Sequence, residues 1–240
     1  MIPPFYDPSP ASAPSPGLGA APCLFTASGA SEEDREHRVI RRVCSTPIPP
    51  PLARRRPAGL NGRVPVARLF VEGRSDVAAV VALARSQNVS LAAVEVVSLE
   101  GITNVRRELR AQHDGARTAV LCDAGETGFV TRALAADDLP RLPPVRVFVC
   151  DRDLEEELIR ALGARRAAEV VRQVGIGDSF DRMSRQPQWR DEPVAAQLRR
   201  FAGAGAGRKE LLAAAWATAL PADAVPRPLA DAVAWLRATP

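Results

Sequence analysis

From residue 66 onward the chain alternates between two apolar rhythms. "VARLFVEG", "AVEVVSLEG", "RTAVLCDAG" and "VRVFVCDRD" are short runs of β-branched and apolar residues, each closing on Gly or Asp. Between them stand "SDVAAVVALARSQ", "TNVRRELRAQ" and "ETGFVTRALAADD", which read as helices. Strands alternating with helices predict βαβ units and a parallel sheet covered on both faces. After the fourth run the pattern is helical: "DLEEELIRALGARRAAEVVRQV", "EPVAAQLRRFAG", "RKELLAAAWATAL" and "PLADAVAWLRA". The expected architecture is an α/β core of about four parallel strands over residues 63–175, with a helical extension of the same domain over 176–240.

Residues 1–62 follow neither rhythm. They hold 12 of the 22 prolines, in stretches such as "DPSPASAPSPGLGAAP". Such a composition buries too little apolar surface to offset chain entropy, so disorder is expected there. A short helix around "SEEDREHRVIRRV" is compatible with its acid-before-base order, and "RRR" at 54–56 reads as a solvated linker charge run.

Composition narrows the function classes. An apolar fraction of 46% and a charged fraction of 25% belong to a soluble globular protein. No apolar run approaches the ~18 residues of a membrane span, and the N-terminus lacks a secretory leader. Four cysteines without CxxC spacing fit a reducing cytoplasm, the expected location, and two histidines argue against a histidine-rich zinc site. From Arg63 onward 25 basic residues face 23 acidic ones, which leaves no polybasic surface. Of the 32 basic residues 31 are arginine, and the single lysine is Lys209. A coding bias explains the arginines but not the exception, because a lysine supplies a compact, adjustable point charge that arginine does not.

Ligands of open parallel sheets bind beyond the carboxyl ends of the strands, and here those ends are acidic. Glu72 closes the first run, Glu100 the second, Asp123 the third, and Asp151 with Asp153 the fourth. Asp76, Glu126 and Glu155 follow in the first turns of the succeeding helices. An acid in a first helical turn is explained by the helix dipole alone, but Glu72 at a strand end is not. Gly73 permits a tight turn and Ser75 is the expected N-cap of the next helix, leaving Glu72 and Asp76 to share a cation. Carboxylates converging in one cleft repel unless a cation neutralises them, and an oxygen-only ligand set suits Mg²⁺ or Mn²⁺.

"VEGRSD" followed by "LCDAG" resembles the Toprim domain, with its strand-end glutamate and its acidic DxD turn on a later strand. More narrowly it is similar to the Toprim region of the overcoming-lysogenization-defect (OLD) nucleases and to actinobacterial stand-alone Toprim nucleotidyl transferase/hydrolase proteins. "LCDAGE", "FVCDRDLEEELIRALG", "QPQWR", "QLRRFAG" and "GRKELLA" extend the likeness over about residues 66–230. The resemblance implies a Toprim-like Rossmannoid sheet and metal-dependent phosphodiester hydrolysis or nucleotidyl transfer on nucleic acid, DNA rather than RNA. It implies that Glu72 is a metal ligand or general acid/base, that Asp76 is a second ligand, and that Asp123 is the first DxD acid. The "LE" after the fourth strand places a further ligand on Glu155, and a late helix start places a phosphate-holding lysine on Lys209.

The second DxD acid is replaced by Gly125, with Glu126 as the substitute within reach. That departure keeps a second function class open, a catalytically reduced Toprim domain that binds nucleic acid or a protein. A phosphoacceptor receiver domain fits poorly, because it needs an adjacent acid pair after the first strand. The sequence contains no GxxxxGK[ST], so this chain has no ATP motor of its own, and the existence of a separate ATPase partner is left open. Trp189, between arginines in "RQPQWR", is read as a core tryptophan under a loop rather than as a base-stacking residue.

Overall fold

The computed structural model describes residues 65–238; the expectations for residues 1–62 lie outside the described residues. β1 (Ala67–Val71) leads into α1 (Arg74–Ser86), and β2 (Val94–Ser98) through a 3₁₀ turn into α2 (Val105–Arg110). β3 (Arg117–Asp123) passes through a second 3₁₀ turn, Ala124–Glu126, into α3 (Thr127–Leu134), and β4 (Arg146–Cys150) follows. The rest is helical: α4 (Leu154–Leu162), α5 (Ala164–Gln173), α6 (Gly177–Ser184), α7 (Val194–Gly203), α8 (Arg208–Ala219) and α9 (Arg227–Arg237).

The four strands form one parallel sheet in the order β2-β1-β3-β4. The pleat sends alternate side chains to opposite faces; both faces are covered at β1 and β3, while Val147 and Val149 of the edge strand β4 stay exposed. Leu69, Val71, Ala119 and Leu121 point into a layer built from α1 and α4 to α9. Phe70, Val120 and Cys122 point into a smaller layer with Val105 and Leu109 of α2 and Val130 and Ala133 of α3. That two-sided burial is why β1 and β3 read as continuous apolar runs. The late helices share the larger core: Leu211, Leu212 and Trp216 of α8 are fully buried, and the Trp216 indole N–H donates to the Ala167 carbonyl of α5 at 3.1 Å. No described helix is long and apolar enough to cross a membrane.

Two local expectations are corrected. Ser75 does not cap α1; Gly73 is the N-cap, and Asp76 reaches back to accept its backbone N–H at 2.8 Å. An acid at the third helical position accepts the N–H of the N-cap residue itself, and Ser75 is buried in the first turn instead of capping it. Trp189 is not a core residue: it is part-buried and belongs to neither hydrophobic cluster.

Candidate metal centre

The register sets the acidic site. Val71 pairs with Leu121, so Glu72, the next residue, is level with Cys122 and one step short of Asp123. The end of β1 is held from the other side by β2, where Leu99 N–H donates to the Val71 carbonyl at 2.8 Å and Gly101 N–H to the Glu72 carbonyl at 3.0 Å. Gly101 does this at φ +106°, in the region that favours glycine. The 3₁₀ turn after β3 then folds Glu126 back beside Asp123. Carboxylate oxygens of Glu72, Asp123 and Glu126 lie within 4.8 Å of one another.

Asp76 and Glu155 line the same space from the first turns of α1 and α4. Lys209, in the first turn of α8, brings its ammonium to 3.2 Å from Glu155 Oε1. Glu155 is 6% exposed, and its Oε1 has this ion pair but no well-aligned hydrogen bond. Arg74 pairs with Glu210 at 3.5 Å on the same rim.

The electrostatics are those of an uncompensated anionic pocket. Burial, offset in part by the Gly73 N–H and reinforced by Glu155, pushes Asp76 up to about 7 although some of its surface is still wet. Burial, then the charges of Glu72 and Asp76, push Asp123 up to about 7. Glu126 also rises to about 7, through burial and through its carboxyl–carboxylate contact with Glu72. Burial alone would lower the Lys209 ammonium, but Glu155, Asp76 and Glu72 outweigh it and hold it above its ordinary value. Burial and the nearby Glu126 and Asp123 push the Cys122 thiol up to about 11, so it is no nucleophile at neutral pH.

The donor set fits a hard divalent cation. It is all oxygen, and Glu126 Oε2 is buried with no hydrogen-bond partner among the described residues, a costly state that a cation relieves. Two oxygens on one Mg²⁺ lie at most ~4.2 Å apart, twice its ~2.1 Å bond, so a small side-chain rotation closes the observed spread. Glu72, Asp123 and Glu126 would hold that ion, with Asp76 and Glu155 beside it.

Other acids of the sequence pattern have structural partners instead. Asp153 caps α4 by accepting from Glu156 N–H at 2.7 Å and pairs with Arg199 of α7. Asp151 is exposed and pairs with Arg160 at 3.2 Å. Glu100 turns outward at φ +52°, its carboxylate on the Ser98 hydroxyl at 3.0 Å. Glu157, which the sequence pattern did not single out, is buried, but it accepts from Asp151 N–H at 2.9 Å and Arg160 at 2.6 Å and so is fully engaged. A cleft of about 500 Å³ opens next to Ala124, lined by Asp151, Arg160, Pro226 and Arg227; the carboxylates of the cluster do not line it.

No protein-family model matches the chain, and no curated relative matches it. Solved structures do. The C-terminal region of the Burkholderia pseudomallei OLD protein aligns over 73% of this chain and 98% of its own, with a TM-score of 0.50 and 20% identity. The C-terminal region of the Xanthomonas campestris pv. campestris OLD protein aligns over 72% and 92%, with a TM-score of 0.50 and 22% identity. The Toprim-like α/β fold expected from the sequence is the fold this chain has, and it is shared with the C-terminal region of OLD proteins.

Proposed function

We propose that this protein is a metal-dependent phosphodiester hydrolase or nucleotidyl transferase acting on nucleic acid, DNA rather than RNA. The observation that carries the reading is the convergence of Glu72, Asp123 and Glu126 within 4.8 Å, with a lone ammonium at the far rim. Carboxylates alone would repel a phosphodiester, so the arrangement makes chemical sense only once a cation is bound. When bound, Mg²⁺ or Mn²⁺ supplies Lewis-acid activation of a phosphoryl oxygen and of water.

The chain's own residues have separable tasks. Glu72, Asp123 and Glu126 would hold the cation, and Asp123 and Glu126 would have to give up their protons to do so. Asp76 and Glu155 extend the anionic surface toward α8. Lys209, tied to Glu155 in the free protein, would face the charge that builds on the non-bridging phosphate oxygens as the phosphorus–oxygen bond breaks. The attacking oxygen comes from water in hydrolysis and from a hydroxyl in transfer. A separate ATPase partner is a further proposal, resting on the resemblance of the sequence motifs to OLD nucleases.

The second reading, a catalytically reduced binding module, rests on Gly125, which brings no carboxylate to the turn. The position of Glu126 favours the enzyme, because it returns an acid to the place where the glycine removes one. The test is cleavage of mixed single- and double-stranded DNA and RNA with Mg²⁺ or Mn²⁺, wild type against Glu72→Ala. Metal-dependent cleavage lost in the variant supports the enzyme. Binding without cleavage by the wild type moves the assignment to the binding module.

A further inference from the structure

The three tryptophans sit in three different environments. Trp216 is fully buried, and Trp235 packs against the larger core. Trp189 is part-buried and belongs to neither core, so core packing accounts for only part of its surroundings. The backbone around it is nonetheless firmly fixed. Trp189 N–H donates to the Gln186 carbonyl at 2.8 Å, Arg190 N–H to the same carbonyl at 2.9 Å, and Glu192 N–H to the Trp189 carbonyl at 3.0 Å. The Gln197 amide, 6% exposed on α7, donates to the Trp189 carbonyl at 2.8 Å and to that of Glu192 at 3.0 Å. A buried amide is thus committed to holding a loop whose aromatic side chain lies outside both core clusters.

Arg200 of α7 lies over the ring at 5.9 Å from its centroid, and Arg185 and Arg190 flank it in sequence, both exposed, Arg190 being paired with Asp191 at 3.1 Å. The residue next to Arg200, Arg199, pairs with Asp153 and, at 3.6 Å, with Glu156, the residues on either side of Leu154 and Glu155 at the start of α4. One helix, α7, therefore carries the tryptophan contact on one flank and touches the rim of the metal centre on the next.

We propose that Trp189 and Arg200 form a stacking platform for an unpaired base of a single-stranded nucleic acid, whose backbone runs along α7 to the acidic cluster. The inference rests on the nucleic-acid reading above and names the substrate class as single-stranded. An indole face bordered by arginines suits a base and its phosphate together, whereas a duplex keeps its base faces occupied by their neighbours. A rigid platform also loses little freedom on binding, which favours affinity.

The test measures binding of a short oligothymidylate, the same length of abasic strand, and a duplex, by fluorescence anisotropy with Mg²⁺ present. Trp189→Ala is expected to weaken single-strand binding about tenfold or more, while Trp189→Phe keeps most of it. Should Trp189→Ala prove destabilised, the wild-type protein supplies an independent reading. Its tryptophan emission should be quenched by oligothymidylate and not by the abasic strand, and the quench should vanish in Trp189→Phe. Equal binding of oligothymidylate and abasic strand, or single-strand binding untouched in a folded Trp189→Ala, overturns the platform. So does failure of the wild type to bind any single strand. Glu72→Ala separates the two ideas: base-dependent binding without cleavage by the wild type would sink the enzyme reading yet uphold the platform. Cleavage that ignores Trp189 would do the reverse.

Discussion

The Lys209 ammonium lies 3.2 Å from Glu155 Oε1, the first turn of α8 against the first turn of α4. Fifty-four positions separate the two residues, yet the fold sets the chain's single lysine on the rim of the acidic cluster. If that charge serves phosphate chemistry, Lys209→Ala should lower turnover ~10²-fold. Lys209→Arg should also lose most of the activity, because a planar fork places its charge differently from a compact ammonium. The side chain is about half exposed, so the melting temperature should hardly move. An arginine variant as active as wild type would reduce Lys209 to one basic residue among many.

Gly125 offers the complementary gain-of-function experiment. A Cβ there meets nothing within 4 Å, and the backbone is outside the left-handed region, so Gly125→Asp should fold without strain. It would add a carboxylate one residue before Glu126 and two after Asp123. Mn²⁺ affinity by calorimetry should rise about tenfold, the worth of one additional favourable contact of ~1.4 kcal/mol. Unchanged affinity would place residue 125 outside the coordination shell.

The carboxyls raised to about 7 make a pH prediction with a definite sign. Asp76, Asp123 and Glu126 keep protons in the folded protein that their unfolded forms release near pH 4. Their contribution to stability is therefore complete below about pH 4 and is lost as the pH rises toward about 7. In EDTA, wild type should lose ground to Asp123→Asn between pH 5 and pH 8, measured as the difference in melting temperature. Adding Mg²⁺ at pH 8 should raise the wild-type melting temperature and leave Asp123→Asn nearly unmoved. A wild-type gain on raising the pH in EDTA would contradict the crowded-anion description.

Trp216 tests whether α8 is a structural element as well as the carrier of Lys209. Trp216→Ala empties a fully buried site and should cost about 3–5 kcal/mol. Trp216→Phe should cost less, about 1–3 kcal/mol, because it chiefly leaves the Ala167 carbonyl without its donor. Denaturant unfolding checks both, and a neutral Phe variant would show that this hydrogen bond is dispensable.

The strands were legible because burial on two faces erases alternation: Leu69, Phe70 and Val71 are all apolar although they face different layers. Glu72 stood out for a local reason, a charge where the pattern demanded none, and the structure sets it beside Asp123 and Glu126. What the sequence did not reveal were partners far along the chain. Asp153 looks like a ligand until Arg199, 46 residues later, takes it, and Asp151 until Arg160 does. Ser75 and Asp76 are equally good caps by type, and only the fold decides that Asp76 reaches Gly73. Trp189 was read as core for a similar reason, since nothing near it in the sequence says that it lies outside both clusters.

The strand order carries a further consequence. The chain steps from β1 outward to β2, then crosses back over β1 to lay down β3 on the other side. As a result α1, leaving β1, packs on one face of the sheet, while α3, leaving β3, packs on the other. The two connections part like a seam, and a crevice must open between those neighbouring strand ends whatever residues occupy them. The place of the site thus belongs to the winding of the chain, and its chemistry to the acids set there. Redesigning Glu72, Asp123 and Glu126 would change what the crevice holds without closing it.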